Sequence, residues 1–183
     1  MFNVEKSLKV LIVAAALGLA GTFSTAWFQH SLADFFSLED SASFHLTVAT
    51  VSVLTALFSD TCVLFYFIGT SVWIRDRAKE AFIRQPQAGI EISQIHETAN
   101  KLKARTFPFA TLGIMFGLFT FVLGGANQVG AIPRWLHPGL AGLYLLNALY
   151  AIKHYFRAID LNLEHLDQVS QKLDAVFSEA TEI

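Results

Sequence analysis

Residues 44–74 read FHLTVATVSVLTALFSDTCVLFYFIGTSVWI, a run with a single charge, Asp60, near its middle. A hydrocarbon core about 30 Å thick takes roughly 20 apolar residues in a helix, so this stretch is more than long enough to cross a bilayer. Three other segments have the same character: 8–28, with Lys9 at its edge; 107–126, without charge; and 138–156, with Lys153 near its far end. The spacing therefore predicts four spans in a single membrane domain covering 1–183.

The composition agrees. Of 183 residues 54% are hydrophobic and 15% charged, whereas a soluble domain carries about 25% charged residues. Such a chain does not remain disordered. A net charge of −2 gives nucleic acid no electrostatic attraction. The single cysteine, Cys62, excludes an intramolecular disulfide, a Cys-rich metal site and covalent c-type haem.

Four spans put both termini on one side. Lys6 and Lys9, the seven cations of 75–106, and Lys153, Arg157 and Lys172 fall on that side; of the 13 Lys and Arg only Arg134 falls on the other. The positive-inside rule then places both termini and segment 75–106 in the cytoplasm, in a bacterial-type inner membrane or plasma membrane. Lys6, Lys9, the apolar run 10–23 and Ser24-Thr25-Ala26 also fit a cleavable secretory signal. Trp27-Phe28 suits an interfacial anchor, and the first span is read as retained.

Segment 75–106 is expected to continue the second span as far as Arg84, break at Pro86 and Gly89, and resume as an amphipathic helix. In that helix Ile92, Ile95, Ala99 and Leu102 form one stripe, and Pro108 marks the start of the third span. Residues 157–183 continue the fourth span, with Ile159, Leu163, Leu166, Val169, Leu173 and Val176 on one face. The fold class is thus an all-α integral membrane protein, a four-transmembrane-helix bundle with cytoplasmic amphipathic helical extensions. The two stripes can pack on each other within the chain, in a homo-oligomer, or on a partner.

Within lipid, helices associate through small residues. Gly113, Gly117, Thr120 and Gly124 in the third span, and Ala14, Gly18, Gly21 and Thr25 in the first, read as packing seams. Gly124-Gly125 reads as the start of the second outer loop. In the second span Ser52, Thr55, Ser59, Cys62, Tyr66 and Gly69 recur every three or four residues and are expected to face the interior. Asp60 lies one residue off that stripe. An intramembrane carboxyl is a functional candidate by default; here it is either hydrogen-bonded to its surroundings, such as the Asn147 amide, or serves an ion or proton pathway with Ser59, Thr55 and Asn147. Cys62 reads as a small hydrophobe.

Three of the six histidines reach one membrane level: His30 ends the first span, His45 begins the second and His137 begins the fourth. Imidazoles on facing helices are the usual axial ligands of non-covalent haem, and small neighbours such as Ala49 and Ala141 leave room for a flat group. The function expected first is a small electron-transfer subunit holding b-type haem between His45 and His137, passing electrons to a quinone or a partner membrane subunit. A copper or zinc site on His30, His45 and His137, with Asp34 and Glu39 nearby, is its variant. The alternative is a cofactor-free scaffold or assembly subunit that oligomerises through the Gly-rich spans and cytoplasmic helices. A transport unit built around Asp60 is the third possibility. His154 with His96 could form a second, inner site. No nucleophile or nucleotide-binding motif occurs, and no residue is assigned a catalytic role.

Overall fold

The computed structural model describes residues 4–28 and 41–179, which form four helices: α1 (Val4–Trp27), α2 (Ser41–Arg84), α3 (Pro86–Gln128) and α4 (Leu136–Glu179). The last three contain 43 or 44 residues, a length of about 65 Å at 1.5 Å per residue. That is twice the hydrocarbon thickness, so each has an apolar half and a polar half. Helices α1, α2 and α3 are long and apolar enough to cross a membrane. Tyr144, Asn147, Tyr150, Lys153 and His154 interrupt the apolar half of α4, which falls short of that measure.

Two sequence boundaries dissolve. Segment 75–106 is not a loop with a separate helix: Gln85 alone separates α2 from α3. Pro86 opens α3, where its missing N–H costs nothing. Gly89 allows the turn to be this tight, since a Cβ there would stand 2.5 Å from the Phe82 Cα. Helix α3 then runs unbroken through Pro108. Gly124 and Gly125 are helical, and α3 ends later, with Gly130 at φ +70°. The Gly130 N–H donates to Asn127 O and the Ala131 N–H to Ala126 O, the paired bonds of a Schellman cap, in which glycine adopts the left-handed conformation without strain.

The described chain forms two compact units. One comprises Met1–Val63 and Phe109–Lys153, the other Leu64–Pro108 and His154–Ile183. In the second unit the two amphipathic stripes are spent on each other. Ile92 and Ala99 of α3 pack with Val169 and Leu173 of α4 and with Ile74, Ala78 and Ala81 of α2. Lys172 pairs with Glu91 beside this core, and Arg84 lies 4.5 Å over the Phe177 ring. Ser71 donates to Asn100 Oδ1 at 2.8 Å, and Asn100 Nδ2 donates to His96 Nε2 at 3.2 Å.

In the first unit Ala15, Leu19, Val53, Ala56 and Tyr144 form the core. Val10, Leu17, Phe58, Val122 and Leu146 stand exposed around it, the apolar exterior that lipid tolerates. The α1 seam holds at Gly18, which lies against Ser52, and at buried Thr25, while Ala14 is exposed. The α2 stripe holds only in part. Ser52 and Ser59 are buried, Thr55, Cys62 and Tyr66 are half-buried, and Gly69 is exposed. The stripe repeats about every 3.4 residues against 3.6 per helical turn, so it slides by about 100° over its length.

Candidate functional site

A cavity of about 280 Å³ lies within the first unit, lined by residues of all four helices. His45 of α2 and His137 of α4 both face it, as do Thr22 of α1, Thr120 and Gly124 of α3, and Tyr144 of α4. The helices deliver these groups for simple reasons. His45 occupies the start of α2, and His137 the first turn of α4, whose neighbour Pro138 is suited to a helix start. Gly124 gives the His137 ring its place: a Cβ there would meet the ring Cε1 at 3.1 Å.

Thr25 holds His45. Its hydroxyl oxygen lies 2.9 Å from Thr22 O and 2.9 Å from His45 Nδ1. In the tautomer with Nδ1 protonated, His45 donates to Thr25 Oγ1, the Thr25 hydroxyl donates to Thr22 O, and Nε2 carries the lone pair. An imidazole held through Nδ1–H with Nε2 free is the arrangement found behind many metal-ligating histidines. On His137, Nδ1 is buried with no hydrogen-bond partner among the described residues.

Two further polar groups on this cavity lack partners among the described residues: the Tyr144 hydroxyl and the Thr120 hydroxyl. Their residues are 2% and 7% exposed. Thr47, Thr50 and Thr55 each donate to the carbonyl four residues back, the ordinary way a helical threonine is satisfied; Thr120 does not. Each such orphan costs about 1–3 kcal/mol. Three of them around one cavity mark a place for a polar ligand or for water.

Asp60 and Asn147, which the sequence paired, are together in this unit. A Cβ on Gly113 would collide with the Asp60 carboxyl and stand 3.4 Å from Asn147 Nδ2. Asn147 Nδ2 also donates to Phe109 O at 3.1 Å. Ser59 is buried nearby in sequence, whereas Thr55 is satisfied by Val51 O.

His30, Asp34 and Glu39 lie outside the described residues. Among the described residues no three His, Cys, Asp or Glu side chains gather as a metal site would require. His96 Nε2 is occupied by the Asn100 amide, which Ser71 holds in turn. Sequence reasoning found His45, His137, Asp60 and Asn147 but missed Tyr144 and Thr120 as site residues and Thr25 as the group that orients His45. A tyrosine and threonine on buried helical faces were the available signal. No family model, curated protein or solved structure matches this chain, so the functional reading rests on its own geometry.

Proposed function

We propose that this chain is a small redox subunit that crosses the membrane four times and holds a b-type haem between His45 and His137. The observation that carries the proposal is the pair of imidazoles from α2 and α4 on one cavity, with His45 Nδ1 held at Thr25 and His137 Nδ1 buried without a partner among the described residues. Haem iron bound by two such nitrogens supplies one-electron chemistry. Thr25 would hold His45 for that role, and Gly124 would hold His137. The cavity is slightly below the roughly 300–1,000 Å³ of ordinary ligand sites. Its wall includes the exposed side chains Leu46 and Phe121, which lie outside the core cluster of this unit.

Four crossings are supported by the outward face of α4, where Leu143, Leu146 and Leu149 are more than half exposed, as lipid contact requires. The Lys and Arg distribution supports cytoplasmic termini and a cytoplasmic segment 75–106, with His45 and His137 at the outer ends of their spans. A copper or zinc ion on the same two histidines would need a third ligand, for which His30 is the candidate. Lipid, a partner membrane subunit or a second copy of the chain are the partners this reading implies; nucleic acid is not.

The test is the visible spectrum of detergent-purified protein, oxidised and then reduced with dithionite, together with metal analysis. The expected result is a Soret band that shifts on reduction and is lost in His45→Ala and His137→Ala. Unchanged haem content in both variants contradicts the assignment. The scaffold reading now draws on one feature, the α2–α3 hairpin tip, where Phe82, Ile83 and Ile90 are exposed. It predicts a cofactor-free oligomer or partner complex that survives loss of both histidines and dissociates in a Phe82→Ser, Ile83→Ser variant.

A further inference from the structure

Gly113, Gly117, Thr120 and Gly124 form one face of α3, and they do more than let helices approach. Each lies beneath a polar group. Gly113 faces the Asp60 carboxyl and the Asn147 amide. Gly117 faces the Tyr144 hydroxyl, 2.9 Å from where its Cβ would be. Thr120 lines the cavity with His137, and its hydroxyl has no hydrogen-bond partner among the described residues. Gly124 faces the His137 ring. Successive members are three or four residues apart, or about 5–6 Å along the axis. The face is therefore the floor of a polar column that starts at the two histidines and ends at Asp60.

We propose that Asp60 is a proton-exchanging site connected to the His45–His137 cavity through the Tyr144 hydroxyl. Two observations besides the small residues support it. Tyr144 is almost wholly buried, and its hydroxyl has no hydrogen-bond partner among the described residues although its residue lines the cavity. The Thr120 hydroxyl is in the same state one turn nearer His137. A hydroxyl both donates and accepts, so it can pass a proton without itself becoming charged. Tyr144 and Asn147, three residues apart on α4, present neighbouring side chains, which brings the hydroxyl and the Asp60 surroundings onto one face.

The transfer balances in protons alone. The transfer starts from Asp60 as the neutral acid. Its O–H breaks as the proton passes across a bridging water to the Tyr144 oxygen. The phenol's own proton leaves toward the cavity, through the Thr120 hydroxyl, to water there. The reverse transfer restores the acid, and no electron moves. The proposal rests on the cavity lining and holds whichever cofactor occupies the cavity.

Infrared spectroscopy of the full-length protein in lipid tests it without needing a cofactor. The wild-type spectrum is expected to contain a protonated-carboxyl C=O band that vanishes in Asp60→Asn and shifts when the protein is transferred to D2O. Tyr144→Phe should keep the band and slow its D2O shift roughly a hundredfold, the lower end of what a positioned proton-transfer group contributes. Tyr66→Phe, the same loss of a hydroxyl in the second unit, should leave the rate unchanged. Absence of an Asp60 band overturns the proposal, as does exchange at the wild-type rate in Tyr144→Phe. If Tyr144→Phe does not fold, Thr120→Val decides by the same criterion. Failure of the haem spectrum with a retained, Tyr144-dependent band would sink the haem reading alone.

Discussion

The two units of this protein use the same secondary structure for different ends. The second buries Ile74, Ala78, Ala81, Ile92, Ala99, Val169 and Leu173 in an apolar core at helical spacing. The first interleaves its core with Ser52, Ser59, Thr25, Thr120 and Tyr144 and keeps a cavity beside two histidines. Stability comes cheaply from the first kind of packing, where every buried methylene contributes about 0.8 kcal/mol. Both units also bury polar atoms without partners among the described residues, the Asn162 amide nitrogen and His165 Nδ1 in the second and the Thr120 and Tyr144 hydroxyls in the first, and these oppose folding. What sets the first unit apart is the cavity it keeps beside His45 and His137.

The comparison can be broken most forcefully in the second unit. Ile92 is fully buried, and Ile92→Ala should cost about 3 kcal/mol, within the range for truncating a core isoleucine. Chemical denaturation of the detergent-solubilised protein would measure it. Next comes Gly89→Ala. The new Cβ would stand 2.5 Å from the Phe82 Cα and 2.7 Å from its backbone nitrogen. Backbone yields less readily than a side-chain tip, so a loss of about 1–3 kcal/mol is expected, read in the same experiment.

In the first unit the sign should reverse. Tyr144→Phe removes an unpartnered hydroxyl and keeps the ring, so the apo protein should be unchanged or more stable by about 1 kcal/mol. A loss of more than that would mean the hydroxyl is satisfied in the folded protein and the contrast between the units is wrong.

The smallest effect concerns pH. Burial, and then the charges of Lys103 and Arg75, hold His96 below its ordinary value of about 6.5. Its neutral ring accepts from Asn100. A histidine with a lowered folded value contributes stability fully above its unfolded value and loses that contribution as pH falls through the folded value. Thermal melting between about pH 8 and pH 5 should therefore drop on acidification, and His96→Gln should reduce the slope. An unchanged slope would remove His96 from the account.

How much of this was legible in the sequence follows the same division. The stripes at Ile92, Ala99, Val169 and Leu173 were readable because an apolar core imposes a helical period on the residues that build it. The continuity of α3 was not, because Pro86, Gly89 and Pro108 are each local signals for a boundary, and packing overrode the last of them. His45 and His137 could be brought to one level by span length alone. Tyr144, seven residues after His137, falls on the same face of its span by spacing, but Thr25 and Thr120 could not be joined to them. Which face of each helix turns inward depends on rotation about its axis, and the α2 stripe shows how an error of a few tenths of a residue per turn accumulates. The Gly113–Gly124 face was legible as a seam, but what lay across it was settled only by three-dimensional packing.

The central claim is that His45 and His137 bind a haem together. Titrating ferric haem into apo protein in detergent tests it directly. The account predicts a Soret change that saturates at one haem per chain and disappears in His45→Ala and in His137→Ala, with Thr25→Val binding about 10–100-fold more weakly through loss of the group that orients His45. Haem binding of equal strength in wild type and both histidine variants, or no saturable binding to well-folded wild type, would contradict it.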